Sequence, residues 1–109
     1  MANIPTPIVK GDYIFCSTGY GTGAALIQIH DRNGKYEVEE KYFLKGNELQ
    51  NHHGGMVLVA DYIYCGHGHN QGHPVCVNMM SGEYAWGPAR GPGTGSAAVL
   101  YADGHLYFR

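Results

Sequence analysis

Five of the seven histidines fall in two short, glycine-bearing segments: Asn51-His52-His53-Gly54-Gly55, and Gly66-His67-Gly68-His69-Asn70 with His73 close behind. Neutral imidazole is a common ligand of zinc, copper and nickel, and three or four ring nitrogens about 2.0–2.1 Å from one ion make a centre. His52, His53, His67, His69 and His73 are therefore the candidate metal ligands, with zinc or copper as the ion. Adjacent His52 and His53 point to opposite faces if the backbone is extended, whereas His67 and His69 can share one. The alternative is that these rings only hydrogen-bond backbone in glycine-rich loops. No Ser, Cys or carboxylate adjoins them in sequence as a nucleophile or orienting group, so no catalytic residue is assigned and enzyme activity stays open.

Other chemistry is sparser. Gly19-Tyr20-Gly21-Thr22-Gly23 and Gly91-Pro92-Gly93-Thr94-Gly95-Ser96 are glycine-rich, but neither carries the lysine of a phosphate loop or leads into a helix, and turns explain both. Cys16, Cys65 and Cys76 form no C-x-x-C pair. Their apolar contexts suit buried free thiols, with a Cys65–Cys76 bridge across a hairpin as the alternative. Seven basic against nine acidic residues give a net charge of -2 without a basic run, which argues against a nucleic-acid partner. No apolar stretch is long enough to span a bilayer, and Met1 to Thr6 lacks a secretory-signal pattern.

The elements that position the histidines follow from composition and repetition. Seventeen glycines and nine tyrosines favour short strands joined by tight turns, an all-β chain. Gly11-Asp12-Tyr13-Ile14-Phe15-Cys16 returns as Ala60-Asp61-Tyr62-Ile63-Tyr64-Cys65 and, loosely, as Ala102-Asp103-Gly104-His105-Leu106-Tyr107-Phe108. The turn Asn33-Gly34-Lys35 recurs as Ser81-Gly82-Glu83. A period near 48 residues with four strands per unit is the pattern of propeller blades, which bury their faces only against neighbours. The central unit reads as strands at 55–60, 62–65, 74–78 and 83–86, and the first as 6–10, 13–17, 24–29 and 37–43. The last stops in its second strand. In this order the His52–His53 and His67–His73 segments meet at one mouth. Tyr13, Tyr62, Tyr64 and Tyr107 suit packing between units, and Lys41, Lys45 and the glutamates before them suit a solvated outer strand.

The stretch Cys76-Val77-Asn78-Met79-Met80-Ser81-Gly82-Glu83-Tyr84-Ala85-Trp86 resembles the tryptophan-docking motif of pyrroloquinoline-quinone-like (quinoprotein-type) β-propeller repeats, A-x-D-x-x-T-G-K-x-x-W. Ser81, Gly82 and Trp86 fit it directly or conservatively; Cys76, Asn78 and Glu83 replace Ala, Asp and Lys. The first unit keeps Asn33-Gly34-Lys35 but places Val38 where Trp86 stands. The His segments and Trp86-Gly87-Pro88 extend the likeness to secreted bacterial repeat proteins. The resemblance implies an incomplete β-propeller of about two and a half four-stranded antiparallel blades: 1–46, 47–90 carrying the docking motif with Trp86 spread between blades, and the first two strands of a third in 91–109. It implies a scaffold or ligand-binding segment of a larger periplasmic or extracellular propeller, partnered by the remaining blades or by self-association. The alternative is part of a quinone- or metal-dependent oxidoreductase whose catalytic residues lie outside the chain. Family enzymes hold the quinone, PQQ, with an adjacent cysteine pair, a calcium site and an Asp base, none of which can be placed here.

Overall fold

The computed structural model describes residues 4–89, 93 and 95–109. Parts of three expectations lie outside these residues: the signal-peptide reading at Met1–Asn3, the second unit's end at Arg90, and Gly91, Pro92 and Thr94 of the second glycine-rich loop.

Every regular element among the described residues is a strand: β1 (Ile8–Lys10), β2 (Tyr13–Thr18), β3 (Gly23–Arg32), β4 (Lys35–Lys45), β5 (Met56–Val59), β6 (Tyr62–His67), β7 (His73–Asn78), β8 (Tyr84–Trp86), β9 (Val99–Ala102) and β10 (His105–Phe108). They form two four-stranded sheets, β1-β2-β3-β4 and β5-β6-β7-β8, and a two-stranded hairpin, β9-β10. All pairings between these strands are antiparallel. Turn chemistry accounts for the connections. Asn33 and Gly34 both adopt positive φ, 56° and 82°, as the two-residue turn that matches strand twist requires.

The repeat is written in the backbone. The first residue of each inner hairpin turn is left-handed: Gly11 at φ 61°, Ala60 at 54° and Asp103 at 55°. Ile29 N–H donates to Asp12 C=O at 2.8 Å, and Met79 N–H donates to Asp61 C=O at 2.9 Å. Both four-stranded sheets carry a bulge at the same place, between Leu26 and Ile27 and between Cys76 and Val77. In the third unit His105 pairs with Ala102 as Tyr62 pairs with Val59, so Asp103 stands at the place of Ala60, one residue from the sequence alignment.

Because side chains alternate across a strand, each sheet has two different faces. Phe15, Ala24 and Leu26 of the first sheet meet Ile63, Cys65, Val75 and Val77 of the second in one buried cluster that also holds Leu49 and Met79. The opposite face of the second sheet carries Tyr64, Cys76 and Trp86 and turns toward the hairpin, where β5 and β6 touch β9. The opposite face of the first sheet, with Cys16, Ala25 and Phe43, opens as a cavity of about 380 Å³. Unlike faces meet, so the arrangement passes from one sheet to the next.

The strand register moves the first sheet's counterpart of Trp86. Leu26 pairs with Tyr42 as Cys76 pairs with Trp86, so Tyr42, not Val38, is the counterpart of Trp86. Tyr42 Oη donates to Met79 C=O at 2.6 Å, and its ring lies where a Cβ on Gly82 would meet it at 3.0 Å. An aromatic of one sheet thus seats on the glycine turn of the next. Trp86 has no following turn to reach among the described residues. It is 43% exposed and tilts over Tyr64 with centroids 6.1 Å apart, rather than being enclosed between units. Tyr62 and Tyr107, expected in packing, are likewise exposed, because they sit on the face of each hairpin that looks away from the preceding sheet. Cys16, Cys65 and Cys76 are all free thiols, and burial pushes Cys65 up to about 12.

An L-residue in left-handed backbone costs roughly 1–2 kcal/mol that glycine avoids. Ala60 is exposed at such a position, whereas Gly11 fills the equivalent one. Ala60→Gly is expected to raise the unfolding free energy by about 1 kcal/mol, read from urea midpoints, and Ala60→Val to lower it.

Candidate binding face

The segment joining β4 to β5 positions the site. It begins with a turn in which Glu48 and Leu49 N–H groups both donate to Lys45 C=O, and Leu49 is fully buried in the core. The chain then passes between the first two sheets as a wedge whose polar groups bind both sides. Gln50 Oε1 accepts from Gly21 N–H at 3.0 Å, while Gln50 N–H donates to His67 Nδ1 at 3.1 Å. Gln50 C=O accepts from Gly68 N–H at 2.9 Å.

Asn51, 1% exposed, completes the wedge. Its N–H donates to Ser17 Oγ at 2.8 Å, and Ser17 Oγ donates onward to Gly23 C=O at 3.0 Å. Asn51 Nδ2 donates to Gly66 C=O at 2.9 Å and to His53 C=O at 3.3 Å. Hydrophobic matching alone leaves sheets free to slide; this ladder fixes their register. Two buried atoms here, Asn51 Oδ1 and His52 Nε2, have no hydrogen-bond partner among the described residues.

The five candidate histidines do meet at one mouth, but in two groups. His52 stacks on His69 with ring centroids 3.8 Å apart, His53 packs on His52 at 4.0 Å, and Tyr20 meets both His52 and His69 edge-on. His69 Nδ1 accepts from Tyr20 N–H at 2.9 Å, and His52 Nδ1 lies 3.4 Å from Ser96 Oγ. Gly19 is small for this reason: a Cβ there would lie 2.8 Å from the His52 ring. The second group is His67 and His73, directly paired across β6 and β7. Among the described residues no three His, Cys, Asp or Glu side chains are grouped to hold a metal ion, so one five-histidine centre is not formed. Stacking and backbone hydrogen bonds already occupy the first group.

Three adjoining cavities of about 280, 290 and 320 Å³ make a groove beside the second group. Asn47 and His67 line both the first and second, and Gln71 and His73 line both the second and third. Tyr84 stands at one end, where burial pushes its hydroxyl up to about 12 and the hydroxyl donates a hydrogen bond to Glu48 C=O. Phe108 and Arg109 stand at the other. The groove offers amide, imidazole and aromatic groups, which suits a small polar ligand held by hydrogen bonds and ring contacts. Sequence reasoning missed Ser17, Tyr20, Gln50 and Asn51; the Asn-His-His-Gly-Gly run was the available signal, but nothing in it showed that Asn51 rather than the imidazoles is the buried anchor.

The fold and site define an all-β protein of serially stacked antiparallel sheets with a polar groove at one mouth. Comparison with protein-family models, with curated proteins and with solved structures finds no match to this chain.

Replacing Asn51 by Ala strips a buried carbonyl, Gly66 C=O, of its side-chain donor, a loss of about 1–3 kcal/mol. Asn51→Ala is expected to lower stability by about 2 kcal/mol in urea unfolding, well beyond Asn47→Ala, whose side chain is exposed.

Burial, with the neighbouring His73 ring adding to it, holds His67 below the usual histidine value of 6.5. The folded chain therefore binds fewer protons at His67 than the unfolded chain once pH falls below that value. Stability drops with falling pH from about 6.5 until pH passes the lower folded value, and then levels off. Urea midpoints measured with chelator between pH about 7.5 and about 5 are expected to fall, and to fall less in His67→Gln.

Proposed function

We propose that this chain is a segment of a pyrroloquinoline-quinone-like β-propeller, serving as a scaffold or ligand-binding part of a larger assembly rather than as its catalytic part. The observation that carries the reading is the passage of one packing relation through successive sheets: equivalent left-handed turns, equivalent bulges, and unlike faces in contact. That relation needs a further sheet at each open face, as blades of a propeller supply. Tyr42 on Gly82 supports the same reading, since the family's docking motif pairs an aromatic with a glycine turn. The sheets that complete the ring come from other parts of a longer protein or from further copies. Export to the periplasm or beyond rests on the resemblance alone.

Binding is the reading we favour for the groove, which His67 and His73 share with Asn47, Gln50 and Gln71. The assembly reading is tested by sedimentation velocity combined with urea unfolding of the 109-residue chain. The expected result is concentration-dependent association or broad, weakly cooperative unfolding, because open apolar faces seek partners. A monodisperse monomer that unfolds in one sharp transition would remove the need for further sheets and with it the propeller reading.

A further inference from the structure

We infer that His67 and His73 form a two-imidazole site for a borderline divalent cation, copper(II) or zinc(II), at the rim of the groove. The site is built from the β6–β7 hairpin and the link before β5, and holds whether or not the sheets belong to a propeller.

The two residues are directly opposite in register and close the five-residue loop 68–72. The ladder below them runs Ile63 to Val77, then Cys65 to Val75, both pairs buried, and reaches His67 to His73 at the same parity. Alternation therefore puts both imidazoles on one face of the hairpin, where directly paired residues have Cβ atoms about 4.5–5.5 Å apart. Two rings at that spacing can place a nitrogen each at about 2.0–2.1 Å from one ion.

Register and a shared cavity single out this pair. His67 Nδ1 is taken by Gln50 N–H, which fixes the ring and leaves Nε2 for a ligand. The His73 ring makes no hydrogen bond among the described residues. Both line the same cavity of about 290 Å³, which has room for an ion and its remaining waters. His52, His53 and His69 instead pack ring on ring and do not line that cavity. Among the described residues no carboxylate lines that cavity; Glu48 lines the adjoining one of about 280 Å³. The site therefore selects ions that accept neutral nitrogen, and copper(II) above zinc(II), over calcium or magnesium, which need oxygen ligands. With only two protein ligands the ion keeps open positions for water or for a polar molecule in the groove.

The test uses the tag-free 109-residue chain, titrated with copper(II) and with zinc(II) by calorimetry, and with copper followed by electron paramagnetic resonance. The expected results are one saturable ion per chain, hyperfine structure from two equatorial nitrogens, and no heat with calcium or magnesium. His73→Gln is expected to weaken binding at least tenfold, and His67→Gln likewise, while His53→Ala and His69→Ala stay within about twofold of the parent. Circular dichroism checks folding; if His67→Gln fails to fold, His73→Gln decides, since its ring anchors nothing. Absence of saturable binding, a spectrum without two nitrogens, or affinity lost in His53→Ala or His69→Ala but kept in His73→Gln would overturn the inference.

Discussion

Everything in this molecule follows from the fact that a small twisted sheet has two apolar faces and no means of covering either by itself. The chain answers by setting the Phe15–Leu26 face of one sheet against the Ile63–Val77 face of the next. Because the two faces differ, the contact does not close on itself as a two-fold interface would; it hands the same requirement forward. Lys10 reinforces the step at its inner edge, where its ammonium reaches Ala60 C=O and the Asp61 carboxylate across the sheet boundary. That surface ion pair adds little energy but marks where consecutive inner strands adjoin.

The groove is a by-product of this stacking. Sheets that touch through their middle strands leave a seam at the mouth, and the wedge from Leu49 to His53 fills it with hydrogen-bonded polar groups. What the wedge leaves uncovered, between Asn47, His67, Gln71 and His73, is the polar cavity. Packing thus places the His67–His73 rim, and the sequence of the loop 68–72 determines how much of it is open.

Strand order and turn positions were legible in the chain because they depend on local signals. The Gly11-Asp12 and Ala60-Asp61 turns, Asn33-Gly34, and the alternation through Tyr62-Ile63-Tyr64-Cys65 each act over a few residues. The docking aromatic was misplaced because counting ran from the turn: β3 and β4 extend past their bulge as a long exposed ribbon, which moves the equivalent of Trp86 from Val38 to Tyr42. The two histidine groups were brought to one mouth as expected, yet their division depends on Asn51 and Tyr20. Those contacts join residues 34 and 49 positions apart, and no local pattern encodes them.

The contrast between the wedge and the β3–β4 ribbon also sets where the chain can change length. Residues 31–41 are all exposed, and their turn at Asn33-Gly34 touches no neighbouring sheet, so added or deleted pairs there would only lengthen or shorten an arm. The link between β4 and β5 has no such latitude. One extra residue would rotate Asn51 off Ser17 and Gly66 together. Natural variation in size between units should collect at outer hairpins, while the inner links keep a constant span.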